Sequence, residues 1–262
     1  MTTLSTVLIT GASTGIGATY AERFAQRGHN LVLVARDKTR LQALAERLQQ
    51  AHGVNVDVLP ADLTERADLA AVEARLRTDT SIGILINNAG IAQSGGFVDQ
   101  DVDTIERLIT LNITALTRLA HAIAPRLAQA GEGAIVNIGS VVGLAPEFSM
   151  SVYGASKAFV LFLSQGLHVE LGAKGVYVQA VLPATTRTEI WERIGVNVDN
   201  LPEVMEVGEL VDAALVGYDR RELVTIPPLH VAARWDALDG ARQGLLSDLR
   251  QAHAAERYRT AS

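Results

Sequence analysis

The sequence predicts an α/β fold: a doubly wound, mainly parallel sheet of seven strands with helices on both faces. Two observations carry this reading. Short runs that are apolar throughout alternate with longer amphipathic runs as far as Leu182, and the alternation never breaks. Strands covered by helices on both sides read as continuous apolar runs, so the pattern belongs to a parallel sheet. A glycine-rich turn also sits between the first apolar run and the first amphipathic one.

In chain order, Val7-Leu8-Ile9 is the first strand. Gly15 to Arg27 is the first helix, with Ile16, Tyr20 and Phe24 on one face. Leu31 to Val34 is the second strand, Thr39 to Gln50 the second helix and Val54 to Leu59 the third strand. A helix over Glu65 to Arg77 leads to a fourth strand, Ile82 to Ile86. Thr104 to Gln129 reads as one long helix with Pro125 near its end. Ala134 to Ile138 is the fifth strand, Val152 to Leu171 a helix and Val176 to Val181 the sixth strand. The pattern then loosens. Residues 184–208 hold Gly195 and Pro202 and read as a substrate-loop region with short helical pieces. Glu209 to Tyr218 is a helix, and Leu223 to Ile226 a last strand stopped by Pro227-Pro228. The tail, 229–262, reads as mostly helical from Val231 to Tyr258. With no linker-like segment and no solenoid-length repeat, residues 1–262 are expected to form a single domain.

Composition narrows the function classes. The chain has 262 residues, is 48% hydrophobic and 20% charged, and carries a formal net charge of -6. Mild acidity argues against nucleic acid or an anionic membrane as the partner, since both need a concentrated basic face. No cysteine is present, which removes disulfides, thiolate nucleophiles and cysteine zinc sites. His29, His52, His121, His168, His230 and His253 are scattered with no metal-ligand spacing, so no metal site is expected. No run reaches the ~18 apolar residues of a membrane span. Met1 to Thr6 lacks the charge of a signal peptide, so the cytoplasm is the expected location.

Thr10-Gly11-Ala12-Ser13-Thr14-Gly15-Ile16-Gly17 joins the first strand to the first helix. A strand-to-helix turn at the carboxyl edge of a sheet offers free backbone N–H groups and a helix N-terminus to a pyrophosphate. Its spacing is G-x-x-x-G-x-G, not the G-x-G-x-x-G of the commoner dinucleotide fingerprint. At this point the chain resembles the short-chain dehydrogenase/reductase family, whose Rossmann-like domain carries the longer first gap. The resemblance covers about residues 4–190 and assigns Gly11, Ser13, Thr14, Gly15, Ile16 and Gly17 to cofactor binding.

The second strand ends in Val34-Ala35-Arg36-Asp37. NAD-binding relatives carry an acid where Ala35 stands. Arg36 occupies the position where NADP-preferring relatives place a base, which would pair with the 2′-phosphate. NADP(H) is therefore the expected cofactor, with NAD as second choice because Asp37 can turn in toward the ribose. The resemblance gives Asp62 and Leu63, after the third strand, a place beside the adenine; capping of the next helix competes as the role of Asp62. It likewise puts Asn88, Ala89 and Gly90, in Asn87-Asn88-Ala89-Gly90, against the adenosine half.

Tyr153 and Lys157 stand at i and i+4, one helical turn apart, downstream of a fifth strand that ends in Ser140. A free phenol with a pKa of about 10 is a poor proton donor or acceptor at neutral pH, and a nearby ammonium favours its ionised form. The resemblance makes Tyr153 the acid-base residue, Lys157 the residue that lowers its pKa and binds the nicotinamide ribose, and Ser140 the partner of the substrate oxygen. Asn112 holds a water that relays protons to Lys157; a local helix kink is the competing role. Pro183 and Thr188 complete the cofactor set, with Thr185 and Thr186 as rivals to Thr188. Ala184 departs from the family, which usually has glycine after this proline.

The implied activity is hydride transfer between nicotinamide and a carbonyl or alcohol. Val141 to Ser151 and Ala184 to Met205 are expected to wall the substrate, and Leu144, Phe148, Met150, Ile190, Trp191 and Ile194 point to an apolar one. A homodimer or homotetramer is expected from the family. The reading from another class is a non-catalytic NADP(H)-binding redox sensor or scaffold, disfavoured because Ser140, Tyr153 and Lys157 are all present.

Overall fold

The computed structural model describes residues 4–93, 95–193 and 195–259. The chain falls into two compact units, Met1–Pro227 and Pro228–Ser262. The larger unit holds a seven-stranded, wholly parallel sheet: β1 (Thr6–Thr10), β2 (Leu31–Ala35), β3 (Val56–Pro60), β4 (Ile82–Asn87), β5 (Ala134–Ile138), β6 (Tyr177–Val181) and β7 (Val224–Thr225). Their order is β3-β2-β1-β4-β5-β6-β7. The expected last strand, Leu223 to Ile226, is only two residues long, because just Val224 and Thr225 find register partners on β6.

Residues on opposite faces of β1, β2, β4 and β5 feed two separate cores. Val7, Ile9, Leu31 and Leu33 pack with Tyr20 and Phe24 of α1 (Gly15–Gln26), Leu41 and Leu48 of α2 (Lys38–His52) and Val211 of α8 (Val207–Asp219). Leu8, Val32, Val34 and Leu85 pack on the other face with Val72 and Leu76 of α3 (Arg66–Thr78) and Leu119 and Ile123 of α5 (Leu116–Ala130). Both faces being covered is why these strands are apolar throughout.

The expected helix from Thr104 to Gln129 is three pieces: α4 (Val102–Ile109), a π-helical segment over Thr110–Ala115, and α5. A π turn widens the helix by one residue per hydrogen-bonded loop and is enriched at functional sites. Here the widened turn carries Asn112, which is buried at 1% exposure. The smaller unit also departs from expectation. Between Val231 and Tyr258 only α9 (Ala233–Gly244) is α-helical, followed by single 3₁₀ turns at Leu245–Ser247 and Glu256–Tyr258. None of those helical residues is buried, and a helix without a packed face rests on propensity alone.

One polar thread runs through the sheet centre. Asn87 Nδ2 donates to Asn137 Oδ1 at 3.0 Å, and Asn137 Nδ2 donates to Ser164 Oγ, also at 3.0 Å, on α6 (Ser151–Leu171). The two asparagines are register partners across β4 and β5, so the thread fixes α6 against the strands that end beside it. Asn137→Ala removes one partner from each neighbour and is expected to cost about 1–3 kcal/mol in urea denaturation. An unchanged midpoint and slope would show that the thread contributes nothing to stability.

Candidate active site

The order of the sheet reverses between β1 and β4, whose connections leave in opposite directions and open a crevice at their carboxyl ends. Thr10 closes β1 there. Its hydroxyl oxygen accepts the backbone N–H groups of Asn88 and Ala89, each at 3.0 Å, and its proton goes to the Ile86 carbonyl at 3.3 Å. Asn88 Nδ2 returns two bonds, to the carbonyls of Thr10 at 2.9 Å and Gly11 at 3.2 Å. The side chain of Asn88 is thus spent on holding the glycine turn. Gly11 has φ +64°, and a Cβ on it would lie 2.9 Å from Ala89 Cα. Only glycine tolerates both the left-handed backbone and that approach. Thr14 precedes α1 in an extended conformation, and no side chain caps the helix. Ser13, Gly15 and Ile16 are half-buried along the same turn and Gly17 is buried beneath it.

At the end of β2, Arg36 is exposed, while Asp37 caps α2 by accepting the Arg40 N–H at 3.0 Å. That bond turns Asp37 to the helix and leaves Arg36 exposed at the strand end, with Asp62 as a loose partner. Arg40 in turn makes a two-pronged ion pair with Glu189, at 2.8 and 2.9 Å, which ties the start of α2 to the loop after β6. Asp62 Oδ1 accepts from the backbone N–H and the hydroxyl of Thr64. Its other oxygen faces Arg36 at 3.7 Å and Arg107 of α4 at 3.1 Å. Leu63 is buried beneath α3 and α5 and lines a small cavity with Thr10, Ala89 and Leu111.

The second half of the site is built on β5 and α6. Lys157 is buried at 7% exposure, and its ammonium donates to the Ile138 carbonyl at 2.9 Å. Burial lowers its pKa to about 8. The same ammonium stands 5.7 Å from the centre of the Tyr153 ring. Tyr153 keeps intermediate exposure, yet desolvation pushes its phenol up to about 12, against the lowering effect of its hydrogen bond with Ser140. Burial is thus the larger cause on both residues, and on Tyr153 the Ser140 bond opposes it. Ser140 is held by the Val142 N–H at 3.2 Å and donates to the Pro183 carbonyl at 3.3 Å. Asn112 bonds both main-chain groups of Ile91 at 2.9 Å and donates to Ser156 Oγ at 3.2 Å. It thereby places Gly90 under Lys157: a Cβ on Gly90 would sit 3.1 Å from Asn112 Oδ1 and 3.7 Å from Lys157 Nζ.

Of the three threonines after β6, Thr188 is the one against the glycine turn, its Cγ2 lying 3.2 Å from where a Cβ on Gly15 would stand. Thr186 is turned back onto the Ala184 carbonyl at 3.0 Å. This loop is pinned by Trp191 Nε1 on the Thr186 carbonyl at 2.7 Å and by Arg187, which pairs with Glu206 and Asp199. Leu144, Met150, Ile190 and Trp191 are half-buried and Phe148 is exposed; Ile194 lies outside the described residues. Gly143 went unnoticed in the sequence. A Cβ on it would meet Ala158 N at 2.6 Å, so this glycine lets the turn after Ser140 press onto α6. Thr10, Arg40, Arg107 and Glu189 were also missed; the signal for Thr10 was a hydroxyl inside an otherwise apolar strand. A phosphorylated dinucleotide fits these residues: the turn has no room for a side chain, α1 begins without a side-chain cap, a loosely paired guanidinium is exposed at one end and an ammonium is buried at the other.

A family model described as short chain dehydrogenase matches residues 5–198. The fold is similar to that of a short-chain dehydrogenase from Sphingobium yanoikuyae in complex with NADPH, with a TM-score of 0.96 and 78% identity over 98% of this chain and 100% of that one. It is also similar to a bulky-bulky ketone specific alcohol dehydrogenase from Comamonas testosteroni, with a TM-score of 0.92 and 68% identity over 98% of this chain and 99% of the other. Among curated proteins, the very-long-chain 3-oxoacyl-CoA reductase of Anas platyrhynchos is 37% identical over 188 residues, 70% of this chain. The chain matches only 60% of that reductase's length.

The depressed Lys157 has a signed consequence for stability. Its folded pKa lies below the unfolded one, so burial penalises the charged form fully below pH 8 and less as pH rises toward the ordinary amine value. Relative to Lys157→Met, the cofactor-free protein should gain about 2–3 kcal/mol between pH 8 and pH 10.5 in paired urea titrations. A difference that stays flat with pH would show that Lys157 titrates normally in the fold.

Proposed function

The chain belongs to the short-chain dehydrogenase family, and from that premise we propose that it is an NADP(H)-dependent oxidoreductase that interconverts bulky, apolar ketones and their secondary alcohols. The observation that carries this reading is the convergence of Ser140, Tyr153 and Lys157 where β5 ends beside α6. NADP(H) is supported by the exposed, loosely paired Arg36, by the use of Asp37 as a helix cap, and by the NADPH complex of the Sphingobium relative. The substrate class draws on the ketone named for the Comamonas relative and on Leu144, Phe148, Met150, Ile190 and Trp191 in the two loops beside the site. The same reading takes the protein as a cytoplasmic homodimer or homotetramer. Phe159, Phe162 and Val169, exposed along α6, support the assembly.

Bound NADP(H) supplies or accepts the hydride at the substrate carbon. Tyr153 gives its proton to the substrate oxygen in reduction and takes it back in oxidation. Ser140 steadies the charge on that oxygen, exchanging its bond to the Pro183 carbonyl for one to substrate. The dry surroundings that raise Tyr153 keep it protonated at neutral pH, the form that reduction needs. Lys157 holds the nicotinamide ribose and, as an ammonium, favours the phenolate that forms as the proton leaves. Asn112 acts through position. By gripping Ile91 it sets the backbone under Lys157, and its place in the π turn suits it to a proton relay to solvent.

The direct test follows nicotinamide absorbance with NADPH and NADH in parallel against ketones of graded bulk, aldehydes and quinones. NADPH oxidation that depends on a bulky ketone is expected. Tyr153→Phe should lower turnover by roughly 10²–10⁴-fold while sparing NADPH affinity. Near-normal turnover in that variant would remove Tyr153 from the mechanism. Arg36→Ala should weaken NADPH far more than NADH in equilibrium titrations, and equal losses would cancel the assignment of Arg36.

A further inference from the structure

We propose that Arg107 is a specificity-determining residue for NADP(H), acting by holding Asp62 so that Arg36 is released to the 2′-phosphate. The inference rests on the reading of Arg36 given above. Three elements meet here: Arg36 ends β2, Asp62 follows β3, and Arg107 projects from α4. One oxygen of Asp62 is committed to Thr64, at 3.0 Å from its backbone N–H and 2.7 Å from its hydroxyl. The other is shared by two guanidinium groups at unequal distances, Arg107 at 3.1 Å and Arg36 at 3.7 Å. The first is a hydrogen bond and the second lies beyond hydrogen-bond range. Asp62 therefore already has its close cation, and Arg36 is a loosely held second one, 60% exposed.

The consequence follows from charge. Asp62 beside the 2′-phosphate site would work against a dianion in two ways, by repelling it and by drawing Arg36 onto itself. Burial pushes the Asp62 carboxyl up, but the Thr64 hydrogen bonds and the Arg36 and Arg107 charges outweigh it and hold the group below the usual carboxylate range. Asp62 is thus ionised at neutral pH. Arg107 offsets its charge from the α4 side and leaves the net charge of the trio at one positive unit. Removing Arg107 makes the trio a neutral pair in which Arg36 is the sole cation left to Asp62. NADH has no phosphate at this carbon, so the change falls on NADPH. Arg107 escapes a reading along the chain because its partners lie far off in sequence and it stands among the polar residues of α4, where an arginine looks like ordinary surface.

The experiment measures equilibrium dissociation constants of NADPH and NADH on the full-length, cofactor-free protein by protein fluorescence, without turnover. Arg107→Gln should raise the NADPH constant roughly tenfold, the worth of one charge-assisted contact, and leave the NADH constant nearly unchanged. Arg107→Lys keeps the charge and should stay near the parent ratio of the two constants. Adding Asp62→Asn to Arg107→Gln deletes the carboxylate that Arg107 answers and should return the ratio toward the parent. The ratio is the right readout because any contact of Asp62 with the part common to both dinucleotides cancels in it. Equal weakening of both cofactors by Arg107→Gln, or no recovery in the double variant, overturns the proposal. Arg36→Ala separates this from the underlying reading. If the ratio survives Arg36→Ala, the assignment of Arg36 fails; if it collapses there but not in Arg107→Gln, only the role of Arg107 falls.

Discussion

The hydroxyl of Thr10 belongs to two strands at once. It accepts two N–H groups from the end of β4 and donates to a third residue of that strand, while Asn88 bonds back to the carbonyls of Thr10 and Gly11. These bonds lie where the strand order reverses, the point at which an open parallel sheet has no connection of its own to cover its carboxyl edge. They carry the β1–β4 pairing past its last register pair, Ile9 with Ile86, to the glycine turn and the segment leading to Asn112. With them, the turn is a rigid shelf, and every later feature of the site is placed relative to it: Gly90 beneath Lys157, Thr188 over Gly15, and Ser140 at the next strand end.

From that shelf the site spreads as a series of main-chain contacts made by buried polar side chains. Asn112 pairs with Ile91, Lys157 with Ile138 and Ser140 with Pro183. Each buried polar group costs free energy unless it is paired, so the pairing is obligatory and the geometry follows from it. The shifts on Lys157 and Tyr153 are the residue of that cost. Pairing with one carbonyl does not replace the water an ammonium loses, and the phenol is left with little to favour its charged form. A diphosphate-bearing dinucleotide brings negative charge into the crevice and changes this balance, which ties the proton chemistry of the site to cofactor occupancy.

Much of this was legible in the sequence, for identifiable reasons. Strands covered on both faces have few polar residues to blur their limits, so β1, β2, β4, β5 and β6 stand within about two residues of the apolar runs. The glycine turn and the Tyr153–Lys157 spacing are local, and local patterns survive in one dimension. What was hidden depends on contacts distant along the chain. A π turn keeps helical periodicity nearly intact, so Thr110–Ala115 reads as ordinary helix until the bond from Asn112 to Ile91 is seen. The tail has helix-forming residues but no packed face, and its helix stops at Gly244. Asp37 reads in the sequence as able to turn toward the ribose, and the bond it accepts from the Arg40 N–H, three residues on, shows it instead at the start of α2.

The two ends of the crevice handle charge by opposite means, and the contrast determines what each can control. At the end of β2 Arg36, Arg40 and Arg107 are about half exposed or more, so their fields are screened by solvent and salt. Such groups hold the fold weakly, but a multiply charged ligand meets several of them together, which suits them to choosing between dinucleotides that differ by one phosphate. At the other end the charge of Lys157 is buried and little screened. On the proposed reading the exposed cations would select the cofactor and the buried lysine would serve the proton transfer, so the two tasks fall to groups that differ in their access to water.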